Sequence, residues 1–293
     1  MELSIYTDFF VDLPWQDRLS KIVAAGFAAC ELNAPNPFGD TVSSQQVSQL
    51  RQQADRLGLK MSQAHGYWGE YLAPGSEQWR NRLSLFKEEI AIAADLGVKV
   101  IVAHPMDKTG ILKAVAPMGP AEATRQVVDH SVRFFSEVLD DLASSSVRIA
   151  LENMPCLDQG YTSIDELMVL VRALDSEQVG ICLDSGHLNQ ASGDIGRFIV
   201  NAGAKLFATH MHDCLNLTGH DLHLFPLFST NGKSWVDWGL VRDSLRDIDY
   251  QRNFSLETPG EGPPYVPLWL REKKLAFIHD CLTQFLTEPT AMS

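Results

Sequence analysis

The 293-residue chain has no Cys-x-x-Cys pair, and its five cysteines (Cys30, Cys156, Cys182, Cys214, Cys281) are odd in number and scattered. Neither a disulfide framework nor a thiolate metal cluster organises such a chain, and a reduced, cytoplasmic protein is the expectation. No stretch approaches the roughly 18 uninterrupted apolar residues of a membrane helix. The N-terminal MELSIYTDFFVDLPW lacks the charged and apolar regions of a signal peptide, so no membrane association is expected. Positive charge is scarce. Twenty-four Lys and Arg stand against 37 Asp and Glu, a formal charge of −13, whereas proteins that live on phosphate backbones usually carry a basic footprint. A nucleic-acid partner is therefore not favoured. No Gly-x-Gly-x-x-Gly follows the first apolar run, and no Pro/Gly/Ser-rich linker divides the sequence.

What the sequence does hold is alternation. Hydrophobic residues make up 45% and charged residues 21%, which excludes disorder as the dominant state. Apolar or β-branched runs recur at 3–10, 28–34, 60–66, 98–105, 147–155, 179–187, 206–213 and 254–260. Amphipathic stretches such as 43–58 and 79–97 lie between them, the second with Leu83, Phe86, Ile90, Ala93 and Ala94 on one stripe. Ser163 and Glu166 have capping-box spacing, and Gly26, Gly58 and Gly97 stand where helices end. Parallel strands need helical crossovers, and eight runs give a unit of about 37 residues, so the pattern predicts an α/β fold. A (β/α)8 TIM barrel in a single domain over 1–293 is favoured above an open doubly wound sheet.

In a parallel barrel, ionisable side chains at the C-terminal strand ends call for a functional explanation. The third run ends in His65, the fourth in His104 and the fifth in Glu152. The sixth carries Asp184 and His187, the seventh His210 and His212, and the eighth Glu257. Carboxylates gathered in one mouth repel each other unless a cation sits among them, and a His/Asp/Glu set suits Zn²⁺, Mn²⁺ or Fe²⁺. Cys182, two residues before Asp184, reads as a core thiol one layer deeper. Trp15, Tyr67, Trp68, Phe225, Phe228 and Trp235 follow strand ends and are candidates for an apolar rim around a small substrate.

The set of Leu-Glu-Asn at 151–153, Leu-Asp-Ser-Gly-His at 183–187, His-x-His-Asp at 210–213, Asp-x-His at 221–223 and Ser-Leu-Glu-Thr-Pro-Gly at 255–260 resembles the xylose-isomerase-like TIM barrels. That superfamily includes sugar and sugar-phosphate isomerases and epimerases, inositol-catabolism enzymes and endonuclease IV. The resemblance implies a common metal site of Glu152, Asp184, His210 and Glu257. His187 would contact substrate in the epimerases and ligate metal in the endonuclease. The further ligands of the endonuclease's three-zinc cluster would fall on His65, His104, Asp221 and His223, which opens two or three ions; many sugar-type relatives keep these histidines while holding a single ion, so one is preferred. His212 and Trp68 would lie behind the ligands or against substrate. Two departures stand out. The segment after Asp221-Leu222-His223 is longer than in relatives, and Cys214–Gly219 contains no arginine such as ketose 3-epimerases place there.

These features imply a divalent-metal-dependent isomerase or epimerase, with Zn²⁺ or Mn²⁺ as the metal and a carbohydrate-like small molecule as partner. The substrate would be a sugar, sugar phosphate, polyol or related keto-acid. Glu152 and Glu257 would move a proton through an enediolate and His187 would hold a substrate oxygen; a dehydratase would begin in the same way. Two alternatives remain, an endonuclease IV-like phosphodiesterase with a two- or three-metal cluster and a catalytically silent sugar-binding barrel. Self-association into a homo-oligomer is left open.

Overall fold

Each apolar run becomes a strand, because alternate residues bury one face inward and the other against a helix. In chain order the strands are β1 (Glu2–Tyr6), β2 (Ala29–Leu32), β3 (Lys60–His65), β4 (Val100–Ala103), β5 (Arg148–Glu152), β6 (Val179–Asp184), β7 (Leu206–His210) and β8 (Asn253–Leu256). The computed structural model describes residues 1–37, 43–106, 120–155, 163–214, 222–226, 228, 236–259 and 266–289. All paired strands are parallel, in the order β7-β6-β5-β4-β3-β2-β1-β8. The remaining seam, β7 to β8, is closed by the Met211 amide donating to Ser255 O at 2.7 Å and by the Thr209 hydroxyl. That hydroxyl donates to Asn253 O at 2.9 Å and accepts from the Ser255 amide at 3.2 Å. The result is a single-domain α/β barrel of eight parallel strands.

The described helices are α1 (Trp15–Ala24), α2 (Ser44–Leu57), α3 (Glu77–Leu96), α4 (Pro120–Ser136), α5 (Leu139–Ser145), α6 (Ile164–Leu174), α7 (Ser185–Gln190), α8 (Ile195–Ala202), α9 (Trp238–Asp247) and α10 (Leu268–Thr287). Ser43 and Ser163 both form capping boxes, with Gln46 and Glu166, and Gly58 and Gly97 are left-handed at the ends of α2 and α3. On α3 the buried stripe is Leu83, Phe86, Ile90 and Ala93, with Ile92 added and Ala94 only half-buried. Among the described residues no helix is long and apolar enough to cross a membrane.

Apolar side chains between strands and helices form the large outer core. Inside the barrel a smaller cluster contains Val100, Val102, Ala150, Cys182, Phe207 and Ala208. Cys182 thus lies within the barrel below Asp184. At the N-terminal ends of the strands Phe207 forms the floor, capped by the guanidinium groups of Arg148 and Arg252 at 5.0 and 4.4 Å from its ring centre.

The strands are shorter than the runs. Run 3–10 is a strand only to Tyr6, after which Thr7–Phe10 tighten into a 3-10 turn. Run 179–187 stops at Asp184, whose carboxylate accepts from the His187 amide at 2.6 Å and caps α7. His187 is therefore a helical residue, presented to the mouth by a helix start.

Candidate metal centre

His65, Glu152, Asp184 and His210 are the last residues of β3, β5, β6 and β7, while His104 and Glu257 immediately follow β4 and β8. Parallel closure brings these ends together over the inner apolar cluster. His210 Nδ1 lies 3.2 Å from both Glu152 Oε1 and Glu257 Oε2. Glu152 Oε2 is 3.2 Å from His104 Nε2 and 3.6 Å from His65 Nε2. His187 Nδ1 stands 3.4 Å from Glu152 Oε1 and 3.7 Å from Asp184 Oδ2. It also lies 2.9 Å from the Asn153 carbonyl, which can only accept, so Nδ1 carries the proton.

The Leu-Asp-Ser-Gly-His segment docks the seventh strand end. The Ser185 hydroxyl donates to His212 O at 2.8 Å and accepts from the His212 amide at 3.0 Å. A Cβ at Gly186 would overlap the His212 imidazole, so only glycine allows this approach. His212 Nε2 then meets Asp184 Oδ2 at 3.0 Å. Asn153 holds the Asp184 backbone from both sides, its Nδ2 donating to Asp184 O at 2.9 Å and its Oδ1 accepting from Asp184 N at 2.7 Å. Asp213 ends the motif by accepting from Val236 N and Trp238 Nε1, both at 2.9 Å, which ties the mouth to α9.

The charges are unevenly settled. Burial would raise Glu152, but the neighbouring His210 and His104 outweigh it and hold the carboxyl well below its ordinary value. Burial lifts Glu257 to about 8, with the Glu152 and Asp184 charges adding to it and His210 and His223 opposing. Burial also works against the charged form of His210, yet Cys182, Glu257, Glu31 and Glu152 around it push its pKa well above the usual histidine range. His65 is driven down by burial and then by the neighbouring His104.

Four buried atoms here make no hydrogen bond: His65 Nδ1, Glu152 Oε2, His210 Nδ1 and Glu257 Oε2. Orphaned buried groups are costly, and three of these four face opposite or like charges at poor hydrogen-bonding geometry. The donor atoms of Glu152, Asp184, His210 and Glu257 lie within 4.8 Å of one another. That is close to the span of donors around one ion with bonds of about 2.0–2.2 Å. The residues fit a divalent cation. Among the described residues two further groups meet the same distance condition, His65 with Glu152 and His210, and His212 with His223 and Glu257.

The remaining expected residues divide. His223 reaches the mouth, its Nδ1 2.8 Å from Glu257 O and 3.4 Å from Glu257 Oε2, and its ring stacks on His212 at 3.9 Å. Asp221 and Trp235 lie outside the described residues. Trp68 stacks on His65 at 3.9 Å and is 58% exposed, a rim position. Tyr67 is not on the rim. It is fully buried, stacked on Phe134 in the outer core, with its hydroxyl donating to Glu70 O at 2.7 Å at the core's edge. Phe228 packs on Phe285 and Phe225 on Phe9. One residue escaped sequence reasoning: Glu31 on β2, fully buried, with Oε1 2.8 Å from His210 Nε2. The signal was a lone carboxylate in the apolar Ala29–Leu32 run.

A model of the family described as xylose isomerase-like TIM barrel matches residues 19–278. An uncharacterized protein of Methanocaldococcus jannaschii is 24% identical over 265 residues, 88% of this chain and 83% of that protein. Among solved structures, D-psicose 3-epimerase from Clostridium cellulolyticum, solved with D-tagatose, superposes with a TM-score of 0.78 at 18% identity, covering 98% of this chain and 99% of that one. The IOLI protein, solved with a zinc atom, superposes with a TM-score of 0.77 at 18% identity over the whole of both chains. At such identities these two structures speak for the fold.

Proposed function

The chain belongs to the xylose isomerase-like TIM barrel family, and from that premise we propose that it is a divalent-metal-dependent isomerase or epimerase. Its substrate would be a sugar, sugar phosphate, polyol or related keto-acid. The observation that carries the reading is the buried pair Glu152, the last residue of β5, and Glu257, which immediately follows β8, each 3.2 Å from the same imidazole nitrogen. A divalent ion held by Glu152, Asp184, His210 and Glu257 would supply positive charge beside a substrate carbonyl and its neighbouring hydroxyl. The two glutamates do the proton work. One removes the proton next to the carbonyl, leaving an enediolate, and the other returns a proton to the same or the opposite face. His187, with its proton fixed on Nδ1 by Asn153, would hold a substrate oxygen, and Trp68 would offer a flat apolar face at the rim.

A second reading has its own observation. Among the described residues the four-residue donor group overlaps a second group through Glu152 and His210, which adds His65, and a third through Glu257, which adds His212 and His223; His104 Nε2 lies 3.2 Å from Glu152 Oε2 beside them. Two or three ions there would suit water activation and the clamping of a phosphodiester. The −13 charge opposes a nucleic-acid duplex as the substrate, because such binding draws on neutralised phosphates.

Metal counting separates the two. Loaded with zinc or manganese, the chain should carry one ion, exchange the proton next to the carbonyl of an accepted ketose for solvent deuterium, and leave an abasic DNA duplex intact at moderate ionic strength. Three ions with efficient incision would overturn the isomerase reading. Glu152→Gln, Asp184→Asn and His210→Ala should each lower metal occupancy strongly with the barrel still folded. Full occupancy in all three would remove the basis for this centre.

A further inference from the structure

Glu31 takes no part in the chemistry proposed above, yet it is fully buried beneath it. Its Oε2 accepts from Gln63 Nε2 and from the Ser255 hydroxyl, both at 2.8 Å. Gln63 Nε2 also faces the Thr209 carbonyl at 3.4 Å, so the amide presents its N–H groups on this side. An ionised carboxylate only accepts, and two donors already hold this one in place. Its other oxygen, Oε1, lies 2.8 Å from His210 Nε2. Nε2 therefore bears a proton, and the remaining nitrogen, Nδ1, is the one that stands 3.2 Å from Glu152 Oε1 and Glu257 Oε2 without a hydrogen bond.

We propose that Glu31 is a positioning residue for the metal centre: it fixes the Nε2–H form of His210, so that His210 ligates metal through Nδ1, and its negative charge makes that nitrogen a stronger donor. A ligating histidine whose second nitrogen donates to a carboxylate is held in orientation and gains basicity, and loss of such a partner typically lowers metal affinity by about 10–100-fold. The arrangement links β2 to β7 across the barrel, with Ser255 of β8 and Gln63 of β3 as struts. The inference rests on the reading of this mouth as a metal centre.

The test uses the full chain, stripped and titrated with zinc by calorimetry under chelator competition. Glu31→Gln should weaken zinc about 10–100-fold, while Ser255→Ala, which removes one of the two donors to Oε2 and leaves the Oε1 contact with His210, should weaken it clearly less. Nitrogen-15 NMR of histidine-labelled, zinc-loaded wild type should show a proton on His210 Nε2 and the metal-bound signature on Nδ1, a readout that needs no variant to fold. Unchanged affinity in Glu31→Gln, equal weakening in Ser255→Ala, or metal on Nε2 would each overturn the assignment while leaving the metal centre standing. Wild-type chain that takes up no zinc at all would instead overturn the centre, and the role of Glu31 with it.

Discussion

Glu257 is asked to coordinate and to carry a proton, and a carboxylate can do both when one oxygen binds and the other stays available. Glu257→Gln keeps the size and one coordinating oxygen but loses basicity. It should therefore retain some metal and bind substrate while turnover falls by about 10²–10⁴-fold, the usual contribution of general acid–base catalysis. Solvent deuterium should enter the substrate carbon with wild type. Isomerisation without incorporation, combined with an active Glu257→Gln, would replace the enediolate route with a hydride shift. Most of the mouth was legible in the sequence, because Glu152, Asp184, His210 and Glu257 each close an apolar run at a strand's C-terminal end. Glu31 was not. Leu32 follows it in β2, so it does not mark an end, and its partner His210 is 179 residues away. The parity of the strand carries the missing signal, since Glu31 stands level with Tyr6 and Gln63 on the neighbouring strands. Only closure of the barrel turns that parity into a contact.

Among the elements, α10 depends on a charged clasp. Arg271, 3% exposed on its first turn, forks onto the Asp12 carboxylate with contacts of 2.6 and 2.7 Å, joining the last helix to the segment after β1. The Arg271 hydrogen bonds, against some burial, hold the Asp12 carboxyl below its ordinary value. A carboxylate with a depressed folded pKa adds stability above its unfolded pKa and loses it as pH falls through the folded value. Asp12→Asn should thus cost about 2 kcal/mol at neutral pH, the scale of charged hydrogen bonds, and the gap to wild type should narrow on acidification below about 4. Melting curves from pH 3 to 7 check this; a gap independent of pH would mean that packing carries the clasp. Element type was readable from periodicity and caps, as the Ser43 and Ser163 boxes show, whereas lengths were not. Asp184 illustrates the reason: the same carboxylate that ends β6 starts α7, a choice made by one local hydrogen bond within an apolar run. The β7–β8 seam was equally hidden, because a threonine hydroxyl joins it alongside the backbone bond from Met211.

Over the whole molecule, the net charge of −13 conceals a division between two ends. Lys60, Lys99, Arg148, Lys205 and Arg252 stand at or just before the starts of β3, β4, β5, β7 and β8, the end where the intervening helices finish and their negative dipole ends gather. The carboxylates of the mouth occupy the opposite end. Between them Phe207, under Arg148 and Arg252, shuts the barrel from below. A vessel with a closed bottom and one opening empties in the reverse of the order in which it was filled. Whatever enters after the ion lies above it and must depart before the ion can. Extraction of zinc by excess chelator should then slow in proportion to the fraction of sites carrying a substrate or slow-turnover analogue, whereas a rate indifferent to that fraction would reveal a second exit. Occupancy by substrate would in that way govern how long each molecule keeps its ion, with no change of shape required.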